Sequence, residues 1–588
     1  MAKNSIVRQV LFTQTELDAF VKGLRSADAR ASDRQLLLDY PTVYVVRQPQ
    51  LEKFDVYVGE TTDIFSRTIQ HLRTDPAIRE DWKRLAESDR AEMLVIGNRY
   101  FNKSLTLDVE NRLMLYLTGV ETVNQLHNRR SNPQRSYYTQ EHFDEVFSEI
   151  WRELGRVDKK LFPAESIIRD SALFKASPFH KLTDQQLQAK RQVHAAILEA
   201  LADPALNDAE QGRLIIVEGA AGTGKTVLMS SLFYELFQGE TRDDEPFAFQ
   251  DLDAYLLVNH DQQLTVYSQI AQKLGLENGS STRVSKPTTF ITNHSPDDKM
   301  DVVLVDEAHL LWTQGKQSYK GKNQLMDLMR RAKVVVAVYD PQQAVATNQY
   351  WEADLRGWLK EHQTIVLDQQ MRIDSGPETW LWLRKLIDDG TVGPIPLDDK
   401  YDLRIFDDPQ ALHRAVKAKA SNAEQGLSRL LATFDWDYVA KKTGPDGGKW
   451  VVEVEHFRLP WNLQIEYSPQ EKRRTKVLSW AEQPATIDEV GSIFTIQGFD
   501  LNFAGVIIGP SVKLRDNRIT YDRTASSNRH ATQKRATSSG KVDVSEDLLR
   551  NQLNILLTRG VHGLYIYACD PELRAALLQA QGRSASVE

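Results

Sequence analysis

The pattern of apolar and polar positions divides the chain into a short front part and a longer region with a different order of elements. Residues 1–35 have the pattern of a polar helical lead-in. The apolar runs that follow predict strands at 43–46, 56–58 and 92–97 and helices at 62–72 and 107–117. This order predicts a small α+β unit at the front of the chain.

From residue 182 onward, short aliphatic runs alternate with helical stretches. The runs predict strands at 214–218, 254–258, 302–305, 334–338 and 364–367, and the pattern returns at 506–508 and 564–567. Such alternation is typical of parallel sheets that are covered by helices. The fold class predicted for this part of the chain is therefore α/β.

Two stretches interrupt the alternation. Residues 400–480 are less regular and contain several tryptophans, including Trp436 and Trp461. Residues 511–547 are rich in Arg, Lys, Ser and Thr and poor in apolar residues, which predicts a mobile basic loop. The domains predicted from these breaks are a front domain over 1–135, a helical linker over 136–180, and two sheet-containing lobes over 181–345 and 346–580.

Composition and charge narrow the class of protein. Cys569 is the single cysteine among 588 residues, which excludes a disulfide framework and a cysteine-based zinc site. The first residues lack the apolar core of a signal peptide, and no run reaches the ~18 apolar residues of a membrane span, so we expect a cytoplasmic protein without membrane contact. A net charge of −8 argues against a protein that simply coats nucleic acid, but it leaves room for a local basic groove.

The octapeptide GAAGTGKT fits the phosphate-binding loop G-x-x-x-x-G-K-[ST] and lies between a predicted strand and a predicted helix. Gly219, Gly222 and Gly224 allow the backbone to wrap phosphates, whose negative charge meets loop amides and a helix N-terminus. We expect Lys225 to reach the β- and γ-phosphates of ATP and Thr226 to ligate Mg²⁺.

A second motif, VVLVDEAH, supplies the acidic half of the predicted nucleotide site. Its hydrophobic strand delivers Asp306 to the metal, and Glu307 is placed to act as general base on the attacking water. His309 is expected to link this site to a neighbouring polar element. ATP and Mg²⁺ are therefore the predicted cofactors.

Further motifs resemble those of superfamily 1 helicases and stand in that family's order. LTDQQ, ending at Gln186, resembles the Q motif, and VYDPQQ, with Asp340 and Gln343, resembles motif III. LDQQMR, ending at Arg372, is similar to motif IV. FTIQGFDLNFAGVIIGP resembles motif V, and NILLTRGVHGLYIYA, with Arg559, resembles motif VI. The last two motifs look closest to a branch that includes uncharacterised bacterial ATPases and the helicase-like part of long Schlafen proteins.

The resemblance implies two RecA-like lobes with a nucleotide between them. Gln186 would read the adenine edge, and Arg372 and Arg559, both expected on the second lobe, would project across the cleft. There they would stabilise charge on the γ-phosphoryl group, an effect worth ~10³–10⁵ in rate. DNA is the nucleic-acid partner that this resemblance favours, with RNA as the alternative, because the motifs do not read the 2′-hydroxyl.

The front unit resembles the GIY-YIG nucleases. TVY, ending at Tyr44, and YVG, beginning at Tyr57, are similar to the two tripeptides that give this family its name. Arg67 and His71 follow at the family's spacing and share one face of a predicted helix, because they stand at i and i+4. Glu110, on the next predicted helix, matches the family's single metal-binding carboxylate.

This second resemblance implies a metal-dependent nuclease. One Mg²⁺ or Mn²⁺ ion on Glu110 would polarise the scissile phosphate, and Tyr57 or Tyr44 would help to deprotonate the attacking water. Arg67 would neutralise charge on the pentavalent state, and His71 would orient a group or relay a proton. The family's late polar residue corresponds to Asn128 or, alternatively, to Asn124.

Together the two resemblances imply an ATP-dependent nuclease–helicase fusion that cleaves DNA and translocates along it or unwinds it. Such fusions look like bacterial antiviral-defence or DNA-processing enzymes. A hypothesis from another class is a nucleotide-gated switch or sensor, in which an inactive GIY-YIG domain binds nucleic acid without cutting it.

Overall fold

The computed structural model describes residues 4–77, 79–127, 137–238, 252–276, 283–315, 319–422, 426–445, 447–475, 478–537 and 540–583. Tertiary contacts divide the chain into two compact units. Unit 1 comprises residues 1–181, 230–250 and 266–283, and unit 2 comprises residues 182–229, 251–265 and 284–588.

Unit 1 is built on a five-stranded sheet. The strands are β1 (Ser5–Leu11), β2 (Thr42–Gln50), β3 (Lys53–Thr61), β4 (Glu92–Asn98) and β5 (Val123–His127). Their order is β1-β4-β2-β3-β5, with β3 and β5 parallel and the other neighbours antiparallel. The three predicted strands are confirmed, but the prediction of a wholly helical lead-in is wrong, because β1 pairs with β4 along the sheet edge.

The helices of unit 1 follow the sequence pattern more closely at the front than at the end. They are α1 (Gln14–Leu24), α2 (Ala31–Arg34), α3 (Ile64–Arg73), α4 (Glu80–Ala86), α5 (Lys103–Thr118), α6 (Phe143–Val157), α7 (Glu165–Asp170) and α8 (Ala172–Lys175). We predicted a separate linker over 136–180. That prediction is wrong, because α6 buries its apolar face, including Phe147 and Ile150, in the same core as α5.

Strands β2 and β3 are buried on both faces, and alternate side chains therefore enter two different cores. Val43 and Val45 pack with residues of α5 and α6 on one face. Tyr44 and Tyr57 point into the second core, which also contains Trp82 of α4. This alternation places the two tyrosines on the same side of the sheet.

Unit 2 contains two parallel sheets, and we call each sheet with its helices a lobe. The first lobe has β6 (Arg213–Gly219), β7 (Ala254–Val258), β8 (Val284–Ser285), β9 (Met300–Asp306), β10 (Ala332–Tyr339) and β11 (Gln363–Leu367), in the order β11-β6-β10-β9-β7-β8. Its helices are α9 (Asp184–Leu201), α10 (Ala205–Asp208), α11 (Lys225–Gln238), α12 (Asp261–Lys273), α13 (Pro287–Asn293), α14 (Gln324–Met329) and α15 (Ala353–Leu359). The ends of α11 and α12, from residues 230 and 266, belong to unit 1.

The first lobe is longer than the sequence pattern predicted. Strand β11 pairs in parallel with β6, the strand that leads into the phosphate-binding loop. The boundary that we predicted after residue 345 is therefore wrong, and the first sheet continues to Leu367. The pattern alone did not show this, because a short aliphatic run at the end of one sheet looks the same as a run at the start of the next.

The second lobe carries the remaining strands: β12 (Asp402–Ile405), β13 (Arg429–Ala432), β14 (Val451–Val454), β15 (Phe457–Pro460), β16 (Val490–Gly491), β17 (Leu501–Ile508), β18 (Val512–Arg515), β19 (Arg518–Tyr521), β20 (Arg535–Thr537), β21 (Gly540–Val542) and β22 (Gly560–Ala568). A parallel sheet has the order β12-β22-β17-β13-β16, and the others form three two-stranded hairpins. The helices are α16 (Pro377–Arg384), α17 (Pro409–Ala420), α18 (Pro469–Thr475), α19 (Ile493–Ile496), α20 (Arg529–Thr532), α21 (Ser545–Leu557) and α22 (Pro571–Arg583). The predicted α/β fold with two RecA-like lobes is confirmed.

The prediction of an irregular mobile loop over 511–547 is wrong for its described part. The segment forms the β18–β19 and β20–β21 hairpins and helix α20. Val512, Leu514 and Ala531 are buried, and these few apolar residues anchor the segment although its overall composition is polar. The irregular stretch predicted over 400–480 is likewise shorter, because β12, α17 and β13 belong to the second sheet region.

Candidate functional site

The phosphate-binding loop connects β6 to α11 in the first lobe. Gly222 and Gly224 have φ angles of +85° and +77°, which favour glycine because a Cβ would be strained there. A Cβ on Gly222 would also lie 2.6 Å from Cβ of Arg372, and one on Gly224 would lie 2.0 Å from Nε2 of Gln186. The loop therefore follows a path that glycine adopts without strain, with two candidate site residues packed directly against it.

Lys225 begins α11, and its ammonium lies inside the loop. Nζ donates to the carbonyl oxygens of Gly219 and Ala220, each at 2.7 Å, and lies 3.4 Å from Oδ2 of Asp340. Thr226 follows on the first turn of the helix. The ammonium is thus buried at the place where the loop would surround phosphates.

The acidic motif stands at the end of β9, the second strand away from β6 in the sheet. Asp306 is buried at the strand end, and Glu307 adopts a left-handed backbone with φ of +51°. His309 Nε2 lies 3.1 Å from Glu307 Oε2, but neither atom makes a well-aligned hydrogen bond with any described residue. A buried carboxylate oxygen is therefore left with capacity to bind a further group.

Glu307 is held in its ionised form by the charges around it. Burial acts to raise the pKa of Glu307, but His309, Lys225 and Arg559 together outweigh it, and the pKa lies below its ordinary value. Burial also lowers the pKa of His309, while the charge of Glu307 opposes that shift. An ionised, buried carboxylate is the protonation state that a general base requires.

Arg559 reaches from the second lobe to the first. It lies between α21 and β22, and its Nη2 donates to Oε1 of Gln343 at 3.2 Å. Gln343 in turn donates through Nε2 to Asp340 Oδ2 at 2.5 Å. Arg559 is 1% exposed, and its Nε has no hydrogen-bond partner among the residues that the structure describes. Burial, followed by the nearby Arg372, lowers the pKa of Arg559 to about 10, so it stays charged at neutral pH.

The structure corrects the predicted position of Arg372. We expected it on the second lobe, but it follows β11 of the first sheet, and the preceding Met371 N–H donates to Gly222 O at 2.8 Å. Arg372 Nε forms an ion pair with Oδ1 of Asp500 at 2.6 Å, and Asp500 precedes β17 of the second lobe. Arg372 therefore belongs to the loop side of the site, and its partner comes from the other lobe.

Gln186 lies beside the loop, but both ends of its amide are engaged. Oε1 accepts from the Thr183 N–H at 3.0 Å and Nε2 donates to Thr223 O at 3.2 Å. Gln186 therefore completes the capping box of α9 and supports the loop. To read an adenine edge, as the resemblance implies, it would first have to release these partners.

A second cluster of candidate residues lies in unit 1, at the centre of its sheet. The Tyr44 hydroxyl and His71 Nε2 are 2.7 Å apart, and Tyr57 stacks near Tyr44 with 6.1 Å between ring centroids. A Cβ on Gly59 would lie 2.5 Å from Cζ and the hydroxyl of Tyr44. The glycine of YVG is thus required because the Tyr44 ring covers it.

Arg67 and Glu110 complete this cluster electrostatically. The charge of the Arg67 guanidinium lowers the pKa of the Tyr44 hydroxyl, while the charge of Glu110, which is buried on α5, raises it. Burial, followed by the neighbouring Tyr57, raises the pKa of Tyr44 well above its ordinary value. Tyr44 is therefore protonated in the folded chain and is a hydrogen-bond donor to His71.

Sequence reasoning missed two residues at this cluster. Asp75 accepts from His71 Nδ1 at 2.5 Å, and the Trp82 ring stacks on the imidazole with 3.6 Å between centroids. The i and i+4 spacing of His71 and Asp75 was a signal for the first residue, while nothing local indicates Trp82. Asn124 donates to Asp55 Oδ1 at 2.8 Å, and Asn128 lies outside the described residues.

Metal binding at either site would rest on few protein ligands. Within the described ranges, no group of three or more His, Cys, Asp or Glu side chains is arranged to hold an ion. Mg²⁺ fits such sites, because it retains several waters and is bound by one or two carboxylates together with phosphates. Glu110 in unit 1, and Thr226 with Asp306 in unit 2, are the residues that would hold it. In the same ranges, no helix is long and apolar enough to span a membrane.

Comparison with known proteins identifies the region that contains the nucleotide site. The family model described as Schlafen group 3, DNA/RNA helicase domain matches residues 212–570. Uncharacterized protein YPL245W of Saccharomyces cerevisiae is 36% identical over 416 residues, which cover 63% of this chain and 85% of that protein.

Solved structures of helicase-like proteins are similar only at low scores. A DEAD box protein from the hyperthermophile Methanococcus jannaschii is 11% identical with a TM-score of 0.25, over 69% of this chain and 96% of that one. A variant of Saccharomyces cerevisiae Dbp5 bound to RNA and ADP BeF3 is 12% identical with a TM-score of 0.32, over 69% and 93%. These scores carry no argument about function, whereas the family match covers more than half of the sequence. The chain belongs to the Schlafen group 3 DNA/RNA helicase domain family.

Proposed function

We propose that this chain is an ATP-driven nucleic-acid motor with a metal-dependent nuclease in unit 1. The observation that supports the motor best is the buried Arg559. A desolvated guanidinium with an unused N–H is costly unless an anion completes its hydrogen bonds. The γ-phosphate of ATP, bound at the loop that begins at Gly219, is the anion that fits.

At the ATP site each residue has a distinct role in this proposal. Lys225 exchanges the carbonyls of Gly219 and Ala220 for phosphate oxygens. Mg²⁺ when bound neutralises charge on the β- and γ-phosphates, with Thr226 and Asp306 as its protein ligands. Glu307 takes a proton from the attacking water. Gln343 bonds both Asp340 and Arg559, so that a change in the nucleotide bound at the loop also changes contacts made by the second lobe.

In unit 1 the contacts favour Tyr44 over Tyr57 as the group that assists the attacking water. The Tyr44 hydroxyl lies 2.7 Å from His71 Nε2, which is positioned to take its proton. Arg67, whose charge acts on the same hydroxyl, stabilises negative charge in the transition state. Glu110 is the ligand for Mg²⁺ or Mn²⁺, which when bound polarises the scissile phosphate.

DNA is the proposed substrate, with RNA as the alternative. The antiviral or DNA-processing role rests on resemblance alone and stays a prediction. The rival function is a nucleotide-gated switch whose front domain binds nucleic acid without cutting it. It would explain a buried, tightly packed Tyr44, because a tyrosine that is 1% exposed does not meet bulk water without movement.

A cleavage assay on single-stranded, double-stranded and branched DNA and RNA, with and without ATP, tests the proposal. Wild type should cut at least one substrate with Mg²⁺ or Mn²⁺. Glu110→Ala should lose cleavage and keep ATPase activity, while Glu307→Gln should lose ATPase activity and keep basal cleavage, because the two sites lie in different units. Absence of cleavage on every substrate would favour the switch.

A further inference from the structure

A continuous line of hydrogen bonds runs through the second core of unit 1. The Tyr44 hydroxyl lies 2.7 Å from His71 Nε2, and His71 Nδ1 lies 2.5 Å from Oδ2 of Asp75. The second carboxylate oxygen of Asp75 accepts from Nε2 of Gln70 at 3.2 Å. Asp75 therefore stands at the end of the line, held on both oxygens.

We infer that Asp75 is a positioning residue that holds His71 as the tautomer protonated at Nδ1, so that Nε2 is free to accept the Tyr44 proton. Its catalytic consequence rests on the proposed nuclease function, but the tautomer itself does not. An ionised carboxylate only accepts hydrogen bonds, so the imidazole atom facing it must carry the proton.

The packing around His71 leaves the ring little freedom except the choice of tautomer. Trp82 stacks on it with an interplanar angle of 12°, and Tyr57 meets it edge-on at 5.5 Å. The plane is therefore set by aromatic contacts. Without Asp75, the same ring position would accommodate a proton on either nitrogen, and the tautomer protonated at Nε2 would donate to Tyr44 instead of accepting from it.

The charges that face the imidazole keep it neutral before reaction. Burial lowers the pKa of His71 to about 4, Arg67 and Arg79 add to this, and Asp75 opposes them. Tyr44 and Tyr57, from the sheet, are titratable groups that also pack against the ring. Above pH of about 4, Nε2 thus has a lone pair available for the Tyr44 proton.

The proton transfer balances without any further reactant. As the water oxygen bonds to phosphorus, the water proton passes to the Tyr44 oxygen and the Tyr44 proton passes to His71 Nε2. The bond from phosphorus to the leaving oxygen breaks, and that oxygen takes a proton from solvent. His71 becomes an imidazolium beside the ionised Asp75, and it returns its proton to solvent after product release.

The test uses the full chain and the variants Asp75→Asn, Asp75→Ala and Asp75→Glu. Asp63→Ala is the matched control, because Asp63 caps the N-terminus of the same helix, α3, and does not touch His71. It removes a carboxylate and weakens the helix without changing the tautomer. Thermal unfolding of each variant identifies any that fail to fold.

Two readouts separate this inference from the nuclease proposal. In ¹⁵N-histidine spectra, with His71→Gln for assignment, wild type, Asp63→Ala and Asp75→Glu should show His71 protonated at Nδ1, whereas Asp75→Asn and Asp75→Ala should show the other tautomer or a mixture. In cleavage assays, Asp75→Asn should lower kcat by ~10²–10⁴ with KM unchanged and alter the pH profile, as expected for a wrong tautomer. Asp75→Glu should recover part of the rate.

The inference is overturned if Asp75→Asn and Asp75→Ala both retain the Nδ1 tautomer. It is also overturned if kcat and the pH profile of Asp75→Asn match those of Asp63→Ala. If wild type cuts nothing, the nuclease proposal fails, but the spectra still decide whether Asp75 sets the tautomer of His71.

Discussion

Glu307 is the residue on which hydrolysis should depend most directly. It is buried and ionised, with its Oε2 facing His309 without a well-aligned bond. Glu307→Gln should bind ATP with near wild-type affinity, because charge on Lys225 and the loop is unchanged. Its turnover should fall by ~10²–10⁴, the usual contribution of a general base.

Steady-state ATPase rates and equilibrium nucleotide binding measure the two quantities separately. Glu199→Gln, an exposed acid on α9, is the control and should behave like wild type. Hydrolysis by Glu307→Gln at the wild-type rate would show that another group activates the water.

Gly59 tests the packing of the unit 1 cluster. Gly59→Ala places a Cβ 2.5 Å from the Tyr44 ring, so the ring or the strand must shift. We expect destabilisation of ~1–3 kcal/mol, as for overpacking in a core, together with loss of cleavage. Denaturant unfolding and the cleavage assay provide the measurements.

Gly23→Ala is a matched control, because a Cβ there meets nothing within 4 Å and the residue lies in helix α1. It should stabilise the chain by ~0.5–1 kcal/mol. Equal behaviour of the two variants would mean that the Tyr44 ring moves freely and that the cluster is not rigid.

Individual residues were predictable where chemistry demands a fixed local sequence. The loop glycines, Lys225 and Glu307 belong to contiguous motifs. In the structure, the loop and Lys225 lie between β6 and α11, and Glu307 follows β9 of the same sheet. Asp75 and Trp82 were not found, because their role depends on how α3 and α4 pack on the sheet. The predicted position of Arg372 failed for a similar reason: its motif does not reveal which sheet the preceding strand joins.

At the scale of elements, Lys273 fixes the end of the helix that carries Glu110. It donates to Thr118 O at 2.9 Å and to Val120 O at 2.6 Å, and both acceptors lie at the C-terminus of α5. Burial, with a smaller effect from Lys53, lowers the pKa of Lys273 from 10.5 to about 7.

This depressed pKa gives a signed prediction for stability. Between pH of about 7 and 10.5, the unfolded chain binds a proton that the folded chain does not, so the stability contributed by Lys273 rises with pH. The unfolding free energy of wild type, relative to that of Lys273→Met, should rise with pH across this window and level off on either side. Lys22→Met, which removes an exposed lysine from α1, provides the control.

The segment 511–547 should act as a strap between the two lobes. Arg535 is 4% exposed, and its Nε donates to Glu352 Oε1 at 2.7 Å while the guanidinium also bonds Thr347 O. Arg535→Ala should lower stability by ~1–3 kcal/mol, because buried acceptors lose their partner. In the same segment, Arg523→Ala breaks an exposed pair with Asp543 and should cost ~0–1 kcal/mol.

Denaturant midpoints followed in unit 2 would measure this difference. Equal midpoints for the two variants would show that the strap contributes nothing. Composition alone predicted a loop here because the segment is rich in polar residues. The anchoring depends instead on the few apolar residues that are buried, such as Ala531 and Val544. The linker over 136–180 was misjudged in the same way, since the apolar face of α6 needs α5 to cover it.

For the whole molecule, the two lobes of unit 2 are tied at the nucleotide site by residues from both. Arg559 of the second lobe bonds Gln343 of the first, and Arg372 of the first pairs with Asp500 of the second. Asn554 and Asn551 of α21 also donate to backbone oxygens of Gln342 and Ala344. A change at the γ-phosphate would therefore alter contacts made by both lobes.

Nucleic acid should consequently stimulate the ATPase, and Arg559 should carry the stimulation. A strand that lies across both lobes gains its full set of contacts only when the lobes are closed, so its binding favours the state in which Arg559 faces the γ-phosphate. Arg559→Ala should lower the stimulated rate by about 10³-fold or more and change ATP affinity far less. Arg550→Ala, which removes a half-buried arginine from α21 that pairs with Asp547, is the control and should keep the stimulation. Steady-state ATPase with and without single-stranded DNA or RNA provides the measurement. If wild-type turnover is the same with every nucleic acid tested, strand binding does not favour closure, and the nucleotide switch replaces the motor as the function of unit 2.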